Sequence, residues 1–333
     1  MGRSVEIKIY SGYGHSKNLV VYGHVLQRKP RAPNDFRESG WRHTWSLMRL
    51  FFVRPVGGVR LRLHFYNQVI ETVAQSDGFF KFKWATDRHL EAGLHSVKIE
   101  LIATDKLQGC ASGKVYVPQS TQYVFVSDID DTVLVSHSAT GWRRLRELLV
   151  KNAYRREVFA DHVVWYNLLS RSGAPSQQLN PFFYVSSSEW NLYDYLQRVF
   201  DHNGLPQGSF LLSHFKRWLD FFKAGKTGHE DKYRRISRLL RVFPKQKFVL
   251  IGDNSQRDPE IYTALANNYP DRVAAVYIRN IKNKKAATTL QLFKSFKDKG
   301  IRTCLFNTNR EAIEHSVSIG LVSHGSVQEL TGF

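Results

Sequence analysis

Cysteine is nearly absent: Cys110 and Cys304 are the only two in 333 residues. So distant a pair supports neither a disulfide framework nor a cysteine-rich metal site. A reducing compartment is the expectation. Acidic residues are also few, 29 against 48 lysines and arginines, which leaves a formal charge of +19. Such a chain is drawn to anionic surfaces: phospholipid, nucleic acid or a polyanionic metabolite. Long apolar runs are missing. No window approaches about 18 uncharged apolar residues, so no helical membrane span is expected. Met1 to Tyr10 alternates charge with Val and Ile and has no leader-like apolar core. A cytoplasmic protein, peripheral at a membrane, is the expectation. Ser11 to Lys17 carries two glycines but none of the Lys-Ser/Thr ending of a phosphate loop, and reads as a turn. His214 and His229 lack a partner spacing for zinc. No nucleic-acid recognition module is evident.

What is present divides in two. The length suits two domains better than one. Residues 1–70 hold 12 Lys/Arg against 3 Asp/Glu, whereas residues 71–120 are balanced at 6 against 6. Up to about residue 118 the pattern is β. Ser4 to Tyr10 and Leu19 to Leu26 are candidate strands, and Trp41 to Val53 is a short helix or strand. Val59 to Phe65 and Phe79 to Trp84 alternate apolar with polar, as does Ser96 to Ile102, and glycines punctuate the runs. This predicts a small accessory domain over 1–118, a β-sandwich-like fold or a barrel, with Gly113 to Pro118 leading out of it. A catalytic domain over 119–333 follows.

The second half alternates strands with helices, which predicts an α/β fold around a mostly parallel sheet. The apolar run Tyr123 to Val126 ends in Asp128, Asp130 and Asp131. Carboxylates crowded at a strand end repel one another unless a cation neutralises them. A metal-assisted phosphoryl-transfer site centred on Asp128 is the first inference. Pro181 to Val185 is a second strand, ending in Ser186. Lys232 opens a helix after the polar loop Gly225 to Asp231, and Lys247 to Ile251 is a strand ending in Gly252-Asp253, with Asp258 beyond. In a parallel sheet such strand ends share one edge, so distant residues converge. A short insertion, about 138–180, is the candidate cap. A second basic run spans Arg279, Lys282, Lys284, Lys285, Lys294, Lys297, Lys299 and Arg302.

Asp128-Ile129-Asp130-Asp131-Thr132 resembles the first motif of the haloacid-dehalogenase-like phosphatases, Asp-x-Asp-x-Thr. Ser186, Lys232 and Gly252-Asp253-x4-Asp258 match the later motifs of that group. More narrowly, Asn180 to Asp194, His229-x2-Lys232, Phe248 to Tyr262 and Tyr277-Ile278-Arg279 resemble the phosphatidate phosphatase catalytic-domain family of the fungal actin-patch enzyme. The resemblance covers about residues 120–300. Two departures are local. Glu189 stands where the family has Pro. Glu230 and Asp231 separate His229 from Lys232, which leaves Lys226 as the alternative phosphate-binding lysine.

The resemblance implies a Rossmann-like core of the haloacid-dehalogenase type with a short cap, and Mg²⁺ as cofactor. It implies Asp128 as nucleophile, Asp130 as acid and base, and Ser186 and Lys232 as phosphate holders. Asp128, the Asp130 carbonyl and Asp253 would ligate the metal, with Asp258 behind them. It implies phosphatidate as substrate and an anionic phospholipid surface as partner. A soluble phosphomonoester or a nucleic-acid end stays open as substrate, and a non-catalytic lipid-binding module stays open as function.

Overall fold

The computed structural model describes residues 5–27, 54–102, 109–129, 154–174, 178–213 and 227–331. It separates into two compact units, Met1–Pro118 with Glu189–Leu196, and Gln119–Ser188 with Gln197–Phe333.

The first unit is β. Its strands are β1 (Glu6–His15), β2 (Asn18–Leu26), β3 (Arg60–Phe65), β4 (Gln68–Val73), β5 (Phe79–Trp84), β6 (Gly93–Leu101) and β7 (Cys110–Val117). They form one seven-stranded sheet in the order β4-β3-β6-β7-β1-β2-β5. Alternation explains the inner face. Along β3, Leu61, Leu63 and Phe65 are buried while the residues between them are not. With Phe80, Phe82, Val97, Ile99 and Val115 they make one core. The edge strands also meet, since the Thr72 hydroxyl on β4 donates to the Lys81 carbonyl on β5 at 3.5 Å. A single sheet closing on itself is therefore the barrel-like alternative, not the two-layered sandwich.

Two short segments differ from expectation. Ser11 to His15 is strand rather than turn, with a register shift between Tyr10 and Tyr13. A Cβ on Gly12 would lie 2.3 Å from the Val20 carbonyl oxygen, so the glycine is there for close strand approach. Gly113 to Val117, expected as a linker, lies within β7 and pairs with β6. The Glu189–Leu196 stretch also belongs to this unit: Trp190 stacks on Tyr10 at 4.3 Å, and the Ser11 amide donates to the Tyr193 hydroxyl. Trp41 to Val53 lies outside the described residues.

The second unit is α/β. Its strands are β8 (Tyr123–Asp128), β9 (Phe182–Glu189), β10 (Gly208–Ser213), β11 (Lys247–Asp253), β12 (Val273–Arg279) and β13 (Arg302–Phe306). Its helices are α1 (Tyr154–Arg171), α2 (Tyr193–His202), α3 (Thr227–Val242), α4 (Asp258–Asn268), α5 (Ala286–Lys297), α6 (Asn309–Ser318) and α7 (His324–Thr331). The sheet runs β10-β9-β8-β11-β12-β13. Strand β8 is parallel to β9 and β11, and β11–β12 and β12–β13 are parallel too.

Counted within the unit, that order is 3-2-1-4-5-6, the doubly wound arrangement, and the order reverses between β8 and β11. Ligands bind outside the strand C-termini at such a switch point. The strands are apolar throughout because both faces are covered. On one face Tyr166 and Trp165 of α1 meet Phe182 and Tyr277, at 5.4 and 5.2 Å between rings. On the other, Phe183 meets Phe243 just past α3. Of the segment expected as a cap, the C-terminal part of α1 thus covers the sheet, and residues 130–153 lie outside the described residues. Among the described residues no helix is long and apolar enough to cross a membrane.

Candidate active site

Asp128 is the last residue of β8 and Asp253 the last of β11, the two strands flanking the switch point. Asp258 opens α4, five residues on from Asp253. One oxygen from each of these three buried carboxylates lies within 4.8 Å of the others. The position of Gly252 makes this possible. A Cβ there would lie 2.4 Å from Asp258 Oδ2 and 2.9 Å from its Cβ. The Asp253 amide donates to the same Oδ2 at 3.3 Å. Gly252→Ala is therefore expected to push Asp258 out of place. It would cost about 1–3 kcal/mol as an overpacking change and lower any metal-dependent activity in parallel, as thermal melts and rate measurements would register.

Lys232 brings a positive charge into the cluster. Its Nζ donates to Asp128 Oδ1 at 2.6 Å and to Asp258 Oδ1 at 2.5 Å. Lys232 is in the second turn of α3, not at the helix start. The helix begins at Thr227, and Glu230 in the first turn suits its positive end. Burial lowers the Lys232 pKa, but the Asp128 and Asp258 carboxylates outweigh it and hold the ammonium well above its ordinary value. The side chain stays charged at every working pH.

Among the described residues, these three carboxylates and the Lys232 ammonium sum to two net negative charges when all are ionised. An all-oxygen donor set of that charge fits a hard divalent cation such as Mg²⁺. Asp128, Asp253 and Asp258 are the described residues able to hold it.

The strain of the metal-free cluster falls on Asp253. Burial, then the Asp258 charge, raises its pKa from the ordinary 3.8 to about 6, although it accepts a hydrogen bond from the Ser255 amide at 2.5 Å. A carboxyl raised in the fold stabilises the metal-free protein at low pH. That contribution is lost as pH rises from about 4 through about 6. A bound cation prefers the carboxylate form. Mg²⁺ should therefore raise the melting temperature little at about pH 4.5 and fully above about pH 7, which paired thermal melts would test.

The remaining expected residues are placed as follows. Ser186 is buried within β9 on the same strand edge, and its carbonyl accepts from Arg235 at 2.9 Å. Asp130, Lys226 and His214 lie outside the described residues, as does the His229 side chain. Arg235, absent from the sequence reading, sits just past Lys232 on α3. It also donates to the Leu211 carbonyl, the Ser213 hydroxyl and Asp231. Its four-residue spacing from Asp231 was the available signal, because i,i+4 residues share a helix face. Ser127 meets the Tyr166 hydroxyl at 2.6 Å, which anchors β8 one residue before Asp128.

Residues 123–280 match the family model described as phosphatidate phosphatase APP1, catalytic domain. The phosphatidate phosphatase APP1 of Saccharomyces cerevisiae is 32% identical over 163 residues, covering 47% of this chain and 26% of that protein. An uncharacterized protein of Schizosaccharomyces pombe is 24% identical over 197 residues, covering 59% of this chain and 31% of that one. The matched stretch thus spans only about a quarter to a third of these curated relatives. Among solved structures, a carbohydrate acetylesterase from Xanthomonas citri aligns over 95% of this chain and 72% of that one at 8% identity. Its TM-score of 0.31 carries no argument.

Proposed function

We propose, from the premise that residues 123–280 belong to the phosphatidate phosphatase APP1 catalytic-domain family, that this chain is a Mg²⁺-dependent phosphatidate phosphatase. It converts phosphatidate to diacylglycerol and phosphate. The observation that carries the proposal is the buried meeting of Asp128, Asp253, Asp258 and Lys232 at the switch point, inside the matched segment. The core is accordingly of the haloacid-dehalogenase type.

A bound Mg²⁺ would neutralise the carboxylates and let a phosphate dianion approach Asp128. The residues do the rest. An Asp128 carboxylate oxygen attacks phosphorus, and the bond from phosphorus to the glycerol oxygen breaks. Asp130 gives its proton to the leaving alkoxide, releasing diacylglycerol. Asp130, now a carboxylate, takes a proton from water. That water attacks phosphorus and breaks its bond to Asp128, freeing phosphate and restoring both side chains. Ser186 and Lys232 hold the non-bridging oxygens. Asp258 keeps the Lys232 ammonium beside Asp128. The hydrogen bonds from the Lys232 ammonium to Asp128 and Asp258 support Lys232 for that role.

The substrate assignment also has the basic surface in its support, since an enzyme acting on a charged bilayer docks peripherally from the cytoplasm. Phosphate release from phosphatidate in mixed micelles, with and without Mg²⁺ and beside a soluble aryl phosphate, tests it. Mg²⁺-dependent release favouring phosphatidate is expected. Release from soluble esters alone would transfer the same chemistry to a soluble phosphomonoester.

A further inference from the structure

We propose that Asn254 is a positioning residue for the divalent metal, acting through the loop that joins Asp253 to Asp258. The proposal rests on the metal-dependent reading above and goes beyond it to what fixes the ligands. Asn254 is buried and immediately follows Asp253. Its Oδ1 accepts from the Ile281 and Lys282 amides, each at 2.8 Å. Its Nδ2 donates to Asn280 Oδ1 at 2.7 Å and to the Lys282 carbonyl at 3.1 Å. Its own amide donates to the Arg279 carbonyl at 3.1 Å. An asparagine side chain offers two donors and one two-lone-pair oxygen, and every one of these is used here.

The anchor on the far side is fixed in turn. The Asn280 amide donates to the Phe306 carbonyl at 2.8 Å, and its Nδ2 reaches the side-chain oxygens of Asn283 and Asn307 at 3.0 Å. One amide therefore ties the end of β11 to the ends of β12 and β13.

The loop itself is held from outside by two lysines of the second basic run. Lys282 Nζ donates to the Ser255 carbonyl at 3.1 Å. Lys285 Nζ donates to the Ser255 and Gln256 carbonyls at 3.3 and 2.8 Å. Within the same loop the Ser255 amide donates to Asp253 Oδ1 at 2.5 Å. The Asp253 amide turns onto Asp258 Oδ2. Asn254, Lys282 and Lys285 thus hold the loop that joins Asp253 to Asp258 through bonds to neither carboxylate. Partners of this kind orient metal ligands without binding the metal.

The test uses the full chain and two variants, Asn254→Ala and Lys285→Met, with Mg²⁺ alone as the first probe. Thermal melts across a Mg²⁺ series, without substrate, give the midpoint of metal stabilisation. Phosphate release across the same series gives the midpoint for activity. Asn254→Ala is expected to raise both midpoints about 10-fold or more, and Lys285→Met about 3-fold, with kcat at saturating Mg²⁺ largely kept. A merely structural asparagine would lower the metal-free melting temperature and leave both midpoints where they are, which overturns the proposal. If Asn254→Ala does not fold, Lys285→Met decides by the same criterion. A wild-type chain whose melting temperature ignores Mg²⁺ would overturn the metal reading itself, and that result is distinct from unmoved variant midpoints.

Discussion

Asp128→Asn is expected to abolish phosphate release, with kcat falling about 10⁴-fold or more, as removal of a nucleophile does. The fold should survive it. Asp128 sits at the end of β8, and an asparagine Oδ1 still accepts the Lys232 hydrogen bond made there at 2.6 Å. The substitution also removes one of the three carboxylates gathered within 4.8 Å. Less self-repulsion remains, so the metal-free melting temperature should hold or rise while activity disappears. Chemistry and stability move in opposite directions. Parallel melts and phosphate assays would read both. A variant that lost activity by unfolding, or one that kept turnover, would remove Asp128 from its role.

Lys232→Met is expected to cost both. It takes the Lys232 ammonium out of a buried cluster and leaves its Asp128 and Asp258 partners, with Asp253 beside them, less compensated. Breaking a buried ion pair from one side costs about 3–5 kcal/mol. Loss of a preorganised donor to the transferring phosphoryl group costs about 10²–10³-fold in kcat. The signature is the response to metal. Mg²⁺ should restore more of the melting temperature in Lys232→Met than it adds to the wild-type chain, because the variant has more uncompensated charge to neutralise. Lys232→Arg would not rescue it: a planar fork cannot take the place of a compact ammonium bonded to two carboxylates 2.5 and 2.6 Å away. A Lys232→Met protein as stable as wild type without metal would contradict this account of the cluster.

The α/β half was legible because its strands are continuous apolar runs that end abruptly in polar residues. Tyr123 to Asp128 and Lys247 to Asp253 show both the strand and the point where it stops. Parallel pairing then carries the carboxylates to one edge, so the convergence of Asp128, Asp253 and Asp258 followed from topology. The start of α3 was less legible. Gly225 reads as a loop signal, and polar Thr227 to Asp231 gives no apolar periodicity, yet the helix begins at Thr227 and carries Lys232 in its second turn. The β unit was harder again. Alternation identified β3 and β5, but it cannot tell one closed sheet from two stacked ones, because either arrangement buries one face. Nor does it reveal that Gly12 and Gly14 mark strand approach rather than a turn. The Asn254 ties escaped for a related reason. Its partners at Asn280 to Lys282 lie about 27 residues away, and neither spacing nor composition signals the contact.

The central claim is that Asp128 carries the phosphoryl group between substrate and water. Rapid quenching of the full chain during turnover of phosphatidate with Mg²⁺, followed by borohydride reduction, tests it most directly. Reduction of an aspartyl-phosphate converts that side chain to homoserine, which peptide mass spectrometry locates. The account predicts homoserine at position 128 only, dependent on Mg²⁺. Mg²⁺-dependent phosphate release with no modification at Asp128 would contradict it.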